Sequence, residues 1–407
     1  MSPRPPRGAA SFRTARRDKI LPPLAVYVHW PYCARICPYC DFNVVRDRGR
    51  RAEQAALARA IVADLEGHRA LTGPRRLASI YLGGGTPSLM DPDWAGQVIY
   101  AAYALWTPDE PVEITLEANP TDAEAGRFAA FADAGVNRLS LGLQSLDDTA
   151  LAFLGRNHTA REGVLAARTA RMAFPKLSID LIYARPGQTP WAWAAELEAA
   201  TALGPDHISP YQLTLEHGTA FERAVRRGEW QAPDPDVAAA MFETTQAVLT
   251  GRGFDAYEVS NHARGEAFRS RHNLAYWRGQ DYAGVGPGAH GRLTLNGART
   301  ALRAAPKIAG YLARVSETGV GWDQRQTLTP REAAEERLLM GLRTIEGVAL
   351  AEVAGVGLDV GDAKIRELAD AGFLALENGR LIATPAGRLV LDRITVELAT
   401  AAQSQGS

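Results

Sequence analysis

The sequence predicts an α/β fold, a partial (βα)6-type barrel followed by a small winged-helix-like C-terminal domain. Short β-rich runs alternate with Ala-, Leu-, Glu- and Arg-rich stretches of helical length, the pattern of repeated βα units on a parallel sheet. Glycines or isolated polar residues mark the carboxyl ends of successive runs, which a barrel gathers at one mouth and an open sheet gathers mainly at its switch point. Past Gln324 the rhythm gives way to helices around a hairpin signal.

The 407 residues suggest two or three domains, and 46% hydrophobic with 22% charged residues is the composition of a soluble globular chain. Lys plus Arg total 45 against 46 for Asp plus Glu, a net charge of −1 that argues against a mainly electrostatic hold on nucleic acid. No run of apolar residues is long enough to predict a transmembrane helix.

Residues 1–22 read as a disordered basic tail, with Arg4, Arg7, Arg13, Arg16, Arg17 and Lys19 against Asp18, and with prolines that disfavour an amphipathic targeting helix. The barrel is expected over 23–324. Its strands are placed at Leu24–Trp30, Ser79–Leu82, Val112–Glu117, Arg138–Leu143, Leu177–Ile182 and His207–Leu213, with helices at Ala52–Arg69, Asp122–Ala134 and Ala160–Ala173. Gly284–Gly291 reads as tight backbone.

The C-terminal domain is expected over 325–407. Thr329-Pro330-Arg331-Glu332 carries an N-cap, a proline at the first helical position and a capping-box Glu. A helix over Ala363–Ala371 precedes two strands that flank Asn378-Gly379, and Thr384-Pro385 caps a last helix. With 8 basic and 12 acidic residues from Thr329 to Thr400, this domain is suited to packing or partner contact rather than to DNA.

All three cysteines fall at Cys33, Cys37 and Cys40, spaced C-x3-C-x2-C. An odd, tight set is a poor disulfide framework and a good metal site, and it places the protein in a reducing compartment, the cytoplasm. The spacing can wrap three corners of a [4Fe–4S] cube and leave one iron open for a small molecule. A zinc site completed by His29 is the alternative.

With Tyr39 between its second and third cysteines, this motif resembles that of the radical S-adenosylmethionine superfamily. The wider string from Tyr27 to Asn43 is similar to the coproporphyrinogen oxidase-like branch of that superfamily. Gly83-Gly84-Gly85-Thr86-Pro87-Ser88, Glu117-Ala-Asn-Pro120, Leu143-Gln144-Ser145, Leu154-Gly-Arg156-Asn-His158, Ile179-Asp180-Leu-Ile-Tyr183 and Pro186-Gly-Gln188 fit it in order.

The resemblance implies that S-adenosylmethionine chelates the open iron. Gly84, Gly85 and Thr86 would meet its methionine amino end and Glu117 its ribose. Gln144, Arg156 and Asp180 would also touch it, Arg156 near its carboxylate, with Tyr27 and Phe42 flanking the cluster. Unaided by the resemblance, the glycines are an ordinary strand-end turn and Glu117 is equally a buried salt-bridge partner. Arg156 could equally cap the preceding helix or pair with a surface acid. Thr86, Glu117, Gln144, Arg156 and Asp180 are expected to form one concave site beside the cluster, with Arg156 too distant from the thiolates to affect iron content.

The branch contains radical decarboxylases of coproporphyrinogen, in porphyrin metabolism, and a group of heme carriers. The decarboxylases carry a further cysteine two residues beyond the third ligand, where this chain has Phe42. His272-Asn273-Leu-Ala-Tyr276-Trp277 matches the heme-binding signature of the carriers. Imidazole can ligate iron, and Tyr and Trp offer flat apolar faces to a porphyrin.

Arg264, Arg269 and Arg271 could meet heme propionates. Without the family, such a His is a satisfied core or loop residue. Its position beyond the sixth run means that it need not share the cysteines' pocket, so heme binding is expected to be separable from the cluster. The expected function is a heme chaperone holding heme, S-adenosylmethionine and a [4Fe–4S] cluster. It would deliver heme to acceptors such as respiratory enzymes, with transient membrane-surface contact, no nucleic acid and no oxidase activity.

Overall fold

Six strands run parallel and side by side in chain order in the computed structural model, which describes residues 21–122 and 125–401. They are β1 (Pro23–Trp30), β2 (Arg76–Gly84), β3 (Thr107–Ala118), β4 (Arg138–Gln144), β5 (Lys176–Tyr183) and β6 (His207–Gln212). Each pairs with the next, so the strand order never reverses as it does in a doubly wound sheet. The expected fold class is the one found. Apart from 21–22, the basic tail lies outside the described residues.

β1 does not close on β6. Its free edge takes a further parallel strand, β7 (Asp281–Val285), followed by three antiparallel strands, β8 (His290–Leu295), β9 (Ala298–Ala304) and β10 (Trp322–Thr327). Of the stretch read as tight backbone, Gly286–Ala289 turns, and the residues on either side of it are strand. A Cβ at Gly284 would lie 1.9 Å from the His290 carbonyl oxygen, which explains the glycine inside β7.

Helices Arg51–Thr72, Pro92–Leu105, Ala160–Ala173 and Pro190–Thr201 cover the outside. Thr159 and Glu162 form a reciprocal capping box on the third, and Thr189 caps the fourth ahead of Pro190. With helices outside and side chains filling the interior, the strands are buried on both faces and read as near-continuous apolar runs.

A buried ion pair anchors the base. Arg138 Nε donates to Glu113 at 3.1 Å and its Nη2 to the Phe268 carbonyl at 2.7 Å, while the Arg271 N–H donates to Glu113 at 2.8 Å. These bonds hold the helix Arg271–Trp277, capped by Ser270, against the barrel strands.

The C-terminal region has its own apolar core, from Ala334 to Leu398. The helix Pro330–Leu342 carries the Thr329–Glu332 capping box, and Asn378 and Gly379 turn the hairpin at φ 49° and 72°. Its edge meets the barrel through Arg278–Glu346 at 2.5 Å and through Arg337 Nη1, which donates to the Trp277 carbonyl at 3.0 Å.

Candidate cofactor site at the barrel mouth

The cysteine loop leaves the end of β1. Cys33 is buried, and Cys37 and Cys40 are half-buried. Burial pushes the Cys33 thiol up to about 11, against a hydrogen bond with Thr86 that pulls it down, and burial also raises Cys40. His29 is not a fourth ligand. Its Nε2 is hydrogen-bonded with the Asn43 carbonyl at 2.8 Å and its Nδ1 with the Tyr27 hydroxyl at 3.0 Å.

Asn43 in turn donates to the carbonyls of Pro287 and Pro306 at 2.8 and 2.9 Å, tying the loop to the sheet extension. Among the described residues no three His, Cys, Asp or Glu side chains converge as a single metal ion requires. A cube takes each thiolate on a different iron, so the three soft donors fit a cluster that keeps one iron free of protein.

Gly84, at φ 109°, and Gly85 are required by the protein's own packing. A Cβ on either would come within 2.7 Å of the His29 ring or the Tyr32 carbonyl oxygen. Thr86 Oγ1 accepts from Asn119 Nδ2 at 2.9 Å.

Glu117 accepts from the Tyr81 hydroxyl at 2.8 Å and from the Gly84 N–H at 3.1 Å, and among the described residues it has no cationic partner. The structural salt bridge on this strand face belongs to Glu113 instead. Burial, with Asp180 nearby, pushes the Glu117 carboxyl up to about 7 despite those two bonds. Burial raises Asp180 to about 6, although it accepts from Ser140 at 3.1 Å and bonds Ser209.

Arg156 bears directly on the thiols. Its Nη1 donates to Cys37 Sγ at 3.4 Å and its Nη2 to the Gly142 carbonyl at 3.0 Å and to Asn119 Oδ1. Among the described residues its Nε and Gln144 Oε1 are buried without a hydrogen-bond partner, as two groups awaiting a polar ligand would be. Tyr39, which the sequence does not single out as a site residue, bonds Arg156 beside Cys37 and is half-buried against Phe221. Phe42 is 63% exposed instead. Tyr81, Asn119, Ser140 and Ser209 were also missed; Asn119 stood within the quoted Glu117-Ala-Asn-Pro120 string.

The motif from His272 to Trp277 does not form a site apart. His272 is 1% exposed, and its ring stacks on Tyr81 at 4.8 Å, directly behind Glu117. Burial lowers its imidazole to about 3. Tyr276 packs edge-on against Tyr282, Asn273 N–H meets the Ser270 cap, and Trp277 lies under the Arg343 guanidinium at 4.7 Å.

The nearby arginines are already engaged. Arg264 donates to the carbonyls of Pro205 and Arg252, Arg271 Nη1 to that of Pro111, and Arg269 lies near Glu266 and over Tyr257. They are not a free set of propionate donors.

The Radical SAM superfamily matches residues 27–200 and the HemN C-terminal domain residues 328–390. The chain is 42% identical over 392 residues to the mitochondrial radical S-adenosyl methionine domain-containing protein 1 of Bos taurus, covering 92% of this chain and 87% of that protein. It is 39% identical to the heme chaperone HemW of Haemophilus influenzae over 72% of this chain and 76% of that one. With HemW of Bacillus subtilis the values are 31%, 90% and 96%.

The solved coproporphyrinogen III oxidase (HemN) of Escherichia coli superposes with a TM-score of 0.77 over 93% of this chain and 91% of its own, at 22% identity, a likeness of fold. No helix among the described residues is long and apolar enough to cross a membrane. The chain belongs to the radical S-adenosylmethionine superfamily, in its HemN-like branch and close to HemW.

Proposed function

We propose that this protein is a heme chaperone, which binds heme and passes it to acceptor proteins. One observation carries the choice over the oxidase: Phe42 stands where the resembling decarboxylases have a further cysteine, and no other cysteine exists in the chain. The HemW relatives, matched over as much as 91% of this chain, support the same reading.

In this proposal Cys33, Cys37 and Cys40 hold the [4Fe–4S] cluster. Tyr27, Tyr39, Gly84, Gly85, Thr86, Glu117, Gln144, Arg156 and Asp180 surround S-adenosylmethionine. When bound, the cluster supplies an open iron and an electron. Around it Arg156 offers positive charge to a carboxylate, and Glu117 an acceptor to a hydroxyl.

Both ring nitrogens of His272 are hydrogen-bonded, with Ser79 and Tyr276. In this reading His272 ligates heme only if the helix Arg271–Trp277 shifts and exchanges one of those partners for iron, with Tyr276, Trp277 and Asn273 beside the porphyrin. Cytoplasmic residence, read from thiols that need reducing conditions, belongs to the same proposal, although the relatives from animals carry mitochondrial names.

The test is to reconstitute the protein anaerobically and incubate it with heme and, separately, with coproporphyrinogen III plus S-adenosylmethionine and a reductant. Stoichiometric heme retention without decarboxylation is expected. Turnover of coproporphyrinogen to its decarboxylated product would overturn the carrier reading in favour of the oxidase.

A further inference from the structure

Gln144 differs from the other strand-end residues in its backbone. It closes β4 at φ 65°, a left-handed conformation that residues other than glycine adopt rarely. The Ser145 N–H donates to the Leu143 carbonyl at 2.8 Å across it, making a γ-turn of the rarer, positive-φ kind. The ladder to β5 is irregular at this point, between Leu141 and Gln144. Such a conformation persists only where its surroundings over-determine it.

Those surroundings are a buried ion pair. Glu196, on the helix Pro190–Thr201, accepts from the Leu146 N–H at 2.8 Å and from the Ser145 hydroxyl. Arg185 pairs with Glu196 at 2.5 Å and donates to Ser145 Oγ, and Gln188 Nε2 adds a bond to Glu196 at 3.3 Å. Ser145 is fully buried, and Arg185 nearly so. Two charges withdrawn from water need this degree of hydrogen bonding to persist.

The bonds land on the two residues immediately after Gln144 and so fix the direction of the turn. On its other side, Gln144 Oε1 is buried without a partner among the described residues, and its amide borders Gly142, whose carbonyl receives Arg156.

We propose that Glu196, paired with Arg185, is a positioning residue for S-adenosylmethionine: the pair holds Gln144 in its strained turn with its amide facing the cofactor pocket. The proposal rests on Gln144 touching the cofactor.

It is tested by calorimetric titration of S-adenosylmethionine into the anaerobically reconstituted protein, with iron content and thermal midpoint measured alongside. Glu196→Ala is expected to weaken affinity roughly tenfold, the scale of losing one well-placed hydrogen bond, with iron content unchanged. Gln144→Ala is expected to do the same, and the double variant to be no worse than Gln144→Ala alone, because both act through one contact.

Glu196→Gln keeps an acceptor for Ser145 and Leu146 and should recover much of the affinity. Should Glu196→Ala not fold, Ser145→Ala removes only the hydroxyl link and is expected to weaken binding severalfold. Additive losses in the double variant, or wild-type affinity in a folded, iron-replete Glu196→Ala or Ser145→Ala protein, would overturn the positioning role. Wild-type affinity in Gln144→Ala would overturn the contact it depends on, while leaving the family assignment intact.

Discussion

His272 Nε2 lies 2.7 Å from the Tyr276 hydroxyl one helical turn away, while its Nδ1 lies 3.0 Å from Ser79 Oγ. Both ring nitrogens are thus committed inside the protein, and the ring face supports Tyr81, whose hydroxyl reaches Glu117. In the structure His272 packs behind the Tyr81–Glu117 pair. The proposed heme ligation and the packing behind Glu117 therefore fall on one side chain.

His272→Ala is expected to cost roughly 2–4 kcal/mol of stability from the lost ring and its buried bonds, and to weaken S-adenosylmethionine binding as Tyr81 loses its stack. His272→Phe keeps the ring face and should hold cofactor affinity nearer to wild type. Heme titration followed at the Soret band separates the roles. Loss of heme in a stable His272→Phe protein supports ligation, and unchanged heme affinity there removes His272 from the heme site.

The same residue sets a pH dependence. Its folded value, about 3, is depressed below the ordinary 6.5 by burial. Between those values the unfolded chain binds a proton that the native state refuses, so stability falls as pH drops from about 6.5 toward 3. In urea unfolding at pH 7 and pH 5, His272→Phe is expected to lose less stability on acidification than wild type, by up to about 1.4 kcal/mol per pH unit within that window. Equal acid sensitivity in both proteins would contradict a neutral, buried imidazole.

Arg156→Ala is expected to reduce both cofactor affinity and iron retention, because Nη1 donates to Cys37 Sγ at 3.4 Å. A role confined to the cofactor's carboxylate predicts loss of affinity alone. Iron and sulfide analysis after anaerobic reconstitution distinguishes the two. Ser at Cys33, Cys37 or Cys40 sets the lower limit, since each should remove most of the iron.

Much of the barrel was legible because a buried parallel strand must be apolar and a helix must announce its ends. Leu24–Trp30 lies within β1, and the helix expected over Ala160–Ala173 has those bounds, with the Thr159–Glu162 capping box at its start. β8 to β10 were not legible: they are antiparallel, partly exposed and short, and Gly291 interrupts the first of them.

The cysteine cluster could be read because thiol chemistry is scarce in this chain. Phe42 and Tyr39 could not be told apart, since both are aromatic residues next to a cysteine loop and only the fold turns Tyr39 inward toward Arg156. Nor could the sequence place His272 behind Tyr81, because that contact joins residues far apart in the chain.

Glu117 offers a last test through its own titration. Burial is the main force raising its carboxyl to about 7, and the neighbouring Asp180 adds to it, while the Tyr81 and Gly84 donors pull the other way. Below that pH the carboxyl is protonated and is a poorer acceptor for a ribose hydroxyl. S-adenosylmethionine affinity is therefore expected to rise as pH increases from 6 to 8, by as much as about tenfold per unit below the midpoint. Glu117→Gln should bind more weakly and show a flat profile over the same range. Asp180→Asn removes a like charge and should move the midpoint of the rise downward. Calorimetric titrations at matched ionic strength read all three, and a wild-type affinity independent of pH across this range would show that Glu117 is not the group that meets the cofactor.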